Sequence, residues 1–197
     1  PSAYGTKNYR RVRKKLDMKQ LVKLSLVPLL AANLFASSFI FVEEGVSLPL
    51  ADGSVVYSGT PVEVIGNEGD NVKVKVKGVV GDKEPSSVYA TKNLVLILAK
   101  AKDAGMVKKS GDEATVELLV PAKNVTDSQD KAWDKSADRY YEKCTQCHAG
   151  KVIVKHTMLE WDALYGSMKE FANPSEEDTA LVMRYLRAFA KDGILKD

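Results

Sequence analysis

Near the C-terminal end of the chain, Cys144-Thr145-Gln146-Cys147-His148 places two thiols one helical turn apart with an imidazole directly behind the second. Thiols at that separation can each add to one vinyl group of a porphyrin, and the imidazole is then carried beneath the iron as its proximal ligand. The C-x-x-C-H spacing is therefore read as a covalent haem c attachment site, one per chain, with Cys144 and Cys147 on the porphyrin and His148 on the iron. The two Cys of the motif are the only ones in the 197 residues, which excludes a disulfide framework larger than one local bond.

Two other chemistries use the same residues. A zinc site would recruit Cys144, Cys147, His148 and His156, all the Cys and His present, but adjacent Cys and His depart from the usual paired ligand spacing. A redox dithiol would follow a strand at the start of a helix, whereas this motif follows a helical pattern. For the sixth iron position the spacing favours Met168, seven residues after Trp161 on one helical face and twenty after His148. His156 is the alternative. Trp161 and Tyr165 are expected to pack on the macrocycle.

The elements that must position these groups show two periods. From Glu43 to about Val125 the pattern is short and β-like. Val72, Val74 and Val76 alternate with Lys73, Lys75 and Lys77 after the turn cluster 66–71, and further apolar runs lie at Leu94–Leu98 and Thr115–Val120. From residue 130 the period is helical. Trp133, Ala137, Tyr140, Tyr141 and Cys144 mark one helix, and Thr157-Met158-Leu159-Glu160 is a capping box opening a second. Pro174-Ser175 opens a third, with Glu176, Glu177 and Asp178 in its first turn. Three helices in about 68 residues make a thin core for independent folding, so a covalent cofactor is expected to staple them.

Composition limits the function classes. With 45% hydrophobic and 28% charged residues the chain is neither a disordered tail nor a multi-span membrane protein. The net charge of +3 is uneven. Residues 1–36 hold eight Lys/Arg and one acid, leaving 21 basic against 25 acidic groups in the rest. A nucleic-acid role loses its electrostatic support. Met18-Lys19-Gln20-Leu21-Val22-Lys23, the apolar run Leu24–Phe35 and the small residues Ala36-Ser37-Ser38 read as an export signal. Residues 1–36 are thus taken as an upstream extension and signal peptide, or as a membrane anchor if the apolar run continues to Val42. The expected location is the periplasm.

Leu48-Pro49, Asp52-Gly53, Tyr57, Gly59-Thr60-Pro61 and the Val-Lys strand resemble bacterial SH3-like domains over residues 45–100. Residues 130–197 resemble a class I monohaem cytochrome c. More closely, Cys144–His148, His156, Trp161, Met168 and Tyr185-Leu186 are similar to the C-terminal haem domain of cytochromes that serve periplasmic trimethylamine N-oxide reductases. The resemblance implies an α+β chain of two domains: a small SH3-like β-barrel over 43–125, then a three-helix cytochrome c domain over 130–197. It also implies an electron-transfer subunit rather than an enzyme, working between a membrane electron donor and a periplasmic reductase. With one C-x-x-C-H in the chain, direct quinol oxidation by a multihaem part is not expected. A haem-based redox or ligand sensor, with the β segment binding a partner, is the other function class.

Overall fold

The computed structural model describes residues 38–195. Ten strands precede three α-helices. Strands β1 (Ser38–Ile40), β4 (Pro61–Glu68), β5 (Asn71–Gly78), β8 (Val107–Ser110), β9 (Glu113–Pro121) and β10 (Val125–Thr126) form a six-stranded antiparallel sheet in the order β10-β1-β4-β5-β9-β8. Strands β2 (Ser47–Pro49), β3 (Val55–Tyr57), β6 (Ser87–Tyr89) and β7 (Ile97–Lys100) form a four-stranded antiparallel sheet in the order β2-β3-β7-β6. The helices are α1 (Gln129–Cys144), α2 (Met158–Ala172) and α3 (Glu176–Ala188).

Side-chain alternation explains β5. Val74 and Val76 are fully buried, in one core with Val116 and Val120 of the adjacent strand β9 and with Val56, Val88 and Leu98 of the four-stranded sheet. The lysines between them lie on the other face and meet carboxylates: Lys73 with Glu117 at 2.8 Å, Lys77 and Lys75 with Glu63 at 3.0 and 3.6 Å. These are surface pairs of small energetic weight, and their partners sit on the strands either side, β9 and β4. Hydrogen bonding to Lys77 is the main reason the Glu63 carboxyl is held below the usual carboxylate range.

The expected fold class is overturned. The described residues belong to one compact unit that is mainly β, and a small self-contained helical cytochrome c domain is not evident. The physical reason lies in what the helices bury. Their second core joins Trp133 of α1, Met158, Trp161 and Tyr165 of α2, and Val182 and Leu186 of α3 to Phe39 of β1 and Leu96 just before β7. The helices therefore do not depend on their own thin core, because the sheets complete it. Phe39 and Ile40, which end the apolar run near the N-terminus, are buried in β1. The signal-like segment itself lies outside the described residues, and among those described no helix is long and apolar enough to cross a membrane.

Two contacts fasten helices to strands. Arg184 of α3 is buried (6% exposed) and donates from Nε to the Ser58 carbonyl at 2.5 Å, from Nη1 to the Ile97 carbonyl at 2.6 Å and from Nη2 to Thr60 Oγ1 at 3.1 Å. Its guanidinium also lies over the rings of Tyr57 and Trp133, 5.3 and 5.8 Å from their centroids. Burial pushes the guanidinium down to about 9, still above neutrality, so it is a buried cation held by neutral acceptors and aromatic faces. Between Ser58 and Thr60, Gly59 has φ +72°, and a Cβ there would sit 2.2 Å from the Trp133 ring. Only glycine allows that turn to lie against that ring.

Candidate functional site

Helix α1 carries the motif to its place. Ser128 caps its start by accepting from the Lys131 amide, and Trp133 and Tyr140 turn one face inward. Its last residue is Cys144. The final carbonyls of a helix have no partner within it, and here the two residues inside the motif supply them. Thr145 Oγ1 donates to the Tyr141 carbonyl at 2.6 Å and Gln146 Nε2 to the Glu142 carbonyl at 2.7 Å. The thiol-bearing turn is thereby folded back onto α1.

Helix α2 forms the facing wall. Thr157 and Glu160 form the capping box expected at its start, with Thr157 N donating to Glu160 Oε2 at 2.7 Å and Glu160 N to Thr157 Oγ1 at 3.3 Å. Asp192 Oδ1 accepts from the Met158 amide at 2.7 Å, tying the chain after α3 to the same end. Trp161 is buried with Nε1 donating to the Ile153 carbonyl at 3.0 Å, and Tyr165 donates to Thr179 Oγ1 of α3 at 2.8 Å.

Between them opens a cavity of about 390 Å3. Cys144, Cys147, His148, Trp161, Tyr165 and Met168 all line it, so these residues, identified in the sequence as possible site groups, share one space. His156 is not among the lining residues. Its half-buried ring stands edge-on to Trp161 at 5.1 Å, and its carbonyl accepts from the Lys191 amide. Met158 is fully buried, and Asn93 Nδ2 donates to its sulfur at 3.4 Å. Tyr140, Leu186 and the 87%-exposed Phe171 complete the apolar wall. Tyr185 is not among the lining residues and packs at a tilt against Tyr140, Trp133 and Phe189.

Sequence reasoning missed the basic groups. Lys143, Lys151 and Lys169 line the cavity, and among the described residues no Asp or Glu does. They come from a helix end, a loop and a second helix, and no local spacing links them. Gly150 was missed too, although glycine just past a helix-terminal motif signals close backbone approach.

The geometry discriminates among the three chemistries. Both thiols are free, Cys144 half-buried and Cys147 exposed. Burial pushes the Cys144 thiol up, and its place at a helix C-terminus gives it none of the dipole stabilisation that a nucleophilic thiolate gains at an N-terminus. That is a poor setting for a redox dithiol. Among the described residues no three His, Cys, Asp or Glu side chains are gathered as a metal-ligand group, and His156, the fourth zinc candidate, lies outside the cavity lining. A covalently attached haem would need no such cluster, since the porphyrin nitrogens already hold the iron and the thiols of Cys144 and Cys147 would bond to vinyl carbons. The cavity volume lies within the range of small-molecule sites, and its walls are apolar and aromatic. His148 Nδ1 lies 2.8 Å from the Ala149 carbonyl, which can only accept. In the neutral ring this contact places the proton on Nδ1 and leaves the Nε2 lone pair for a metal. The residues present fit the group.

The thiols differ in a measurable way. In the chain without cofactor at about pH 8, Cys147 is expected to react with iodoacetamide several-fold faster than Cys144, because a raised pKa leaves less thiolate at that pH. The difference should narrow as the pH rises toward the Cys144 pKa. Peptide mapping of partially alkylated protein reads it directly, and preferential labelling of Cys144 would contradict the assigned burial.

Comparison with known proteins adds no relative: no family model, curated protein or solved structure matches the chain.

Proposed function

We propose that this chain is an exported, one-haem c-type electron carrier that passes electrons between a membrane donor and a terminal reductase of N-oxide or S-oxide type. The observation that carries the reading is the shared cavity, in which both thiols, His148 and Met168 meet aromatic walls. Cys144 and Cys147 would hold the porphyrin through thioethers, His148 Nε2 would ligate one face of the iron and Met168 Sδ the other. When bound, the group supplies a one-electron couple whose potential a thioether ligand raises relative to two imidazoles.

The chain's own residues set the surroundings. Trp161, Tyr165 and Leu186 exclude water from the inner part of the cavity. Their packing is fixed independently of any ligand, through the Trp161 Nε1 and Tyr165 hydroxyl bonds. Lys143, Lys151 and Lys169 line the cavity, Lys143 with the Glu142 carboxylate 3.9 Å from its Nζ, and their positive potential suits carboxylate groups on the cofactor and acidic surfaces on a redox partner. If His148 and Met168 both hold the iron, as proposed, no ligand position would be left for a substrate, which is why the proposed role is electron transfer.

A sensor built on the same motif would need a labile sixth ligand, and a carrier would not. The reduced protein is expected to keep its visible spectrum unchanged under carbon monoxide. A shift of the main haem band on exposure to the gas would favour the sensor and remove the carrier reading.

A further inference from the structure

The loop that carries His148 is anchored to α1 at two places. Thr145 and Gln146 hold its beginning on the helix carbonyls. At its far end the Tyr140 hydroxyl donates to the Lys151 carbonyl at 3.3 Å. Tyr140 is 4% exposed, and a phenol so buried requires a partner. Burial pushes its pKa up, which keeps the hydroxyl protonated and a donor. The ring is fixed by edge-on contact with Tyr141 at 5.2 Å and by Tyr185 at 5.9 Å. Gly150 leaves no side chain beside the same hydroxyl. A Cβ at Gly150 would stand 3.1 Å from Tyr140 Oη and 3.2 Å from Thr145 Cγ2, so it would crowd both anchors together.

We propose that Tyr140 is a positioning residue for His148: its hydroxyl holds the Ala149–Lys151 segment so that the imidazole keeps its Nδ1 proton on the Ala149 carbonyl and its Nε2 lone pair free. His148 itself is exposed, and its one hydrogen bond goes to the neighbouring residue's carbonyl, so the ring cannot be fixed unless that carbonyl is. Tyr140 fixes it from two residues further on. The purpose of a free Nε2 rests on the proposed function. The positioning itself does not.

The test uses the full chain, 15N-labelled and made without export so that both thiols stay free, at about pH 8. The 15N shifts of the two ring nitrogens give the tautomer ratio of His148, and a His156→Gln sample assigns the signals. The unaltered chain is expected to show mainly the Nδ1–H form. Tyr140→Phe keeps the ring and its stacking but loses the hydroxyl, and should lower the ratio of Nδ1–H to Nε2–H about fivefold, the worth of one hydrogen bond. Gly150→Ala should shift it in the same direction by displacing the anchors from the other side. A ratio in Tyr140→Phe equal to that of the unaltered chain would overturn the proposal, as would an unaltered ring that is mainly Nε2–H. Failure of the haem reading would look different: exported protein without covalent haem, while the tautomer ratio still falls in Tyr140→Phe.

Discussion

Replacing Arg184 with Met is expected to lower the stability of the whole molecule by about 2–4 kcal/mol, measured by urea unfolding of the full chain. The substitution strands the Ser58 and Ile97 carbonyls, which accept from Arg184 Nε and Nη1 in the interior. Each buried acceptor left without a partner costs about 1–3 kcal/mol. Thr60 Oγ1 suffers less, because its hydroxyl still donates to the Leu98 carbonyl at 3.0 Å. Part of the loss is offset, since a cation no longer has to be desolvated. For a body of this size the shift in melting temperature should be roughly 5–15 °C. The form of the transition matters as much as its midpoint. Strand and helix signals should be lost together in both proteins, since Phe39 and Leu96 share a core with all three helices. Helices that melt while the sheets persist would contradict the single unit.

Met168→Ala should have the largest effect at the candidate site. Met168 lines the cavity with His148, and truncation removes the sulfur. Its loss should abolish the weak near-infrared band of thioether-ligated ferric haem, open the iron to carbon monoxide and lower the reduction potential. His156→Ala is the control. Its ring stands against Trp161, outside the cavity lining, so the band should survive and carbon monoxide should still be refused. The reverse pattern, no band in the unaltered protein and an open iron only in His156→Ala, would replace the Met ligand by a second imidazole. It would also move the carrier toward the low-potential donor side of its electron-transfer chain.

Local spacing made the motif and much of the secondary structure legible. Val72–Lys77 reads as β5 because a period of two with one buried face needs no distant information. The capping box Thr157–Glu160 marks the start of α2 within the same four residues that form it. What was not legible was how these elements meet. Arg184 sits in the run Val182-Met183-Arg184-Tyr185-Leu186, where a basic residue reads as a solvent-facing position. In the structure it points into the sheets, because Ser58, Thr60 and Ile97, some 90 to 130 positions earlier, present acceptors there. Gly59 reads as a turn glycine, and nothing nearby in sequence announces that the Trp133 ring lies over it. The expected fold class, with a small self-contained helical domain, failed at these contacts. Periodicity reports which face of an element is apolar and leaves open which neighbour covers it. The same limit applies to the cavity. Cys144, Cys147 and His148 declare themselves by spacing, whereas the three lysines and the Tyr140 hydroxyl reach the site through tertiary packing.

The most direct test of the central claim is the mass of the exported, purified protein before and after extraction with acidified organic solvent. One haem per chain should stay with the polypeptide through extraction, and digestion should leave it on the peptide that contains Cys144 and Cys147. Cys147→Ala should lose the two-point attachment while the haem-free chain keeps its fold, because the sheets complete the helical core. A polypeptide mass without added haem, or haem that leaves into the solvent, would contradict the account.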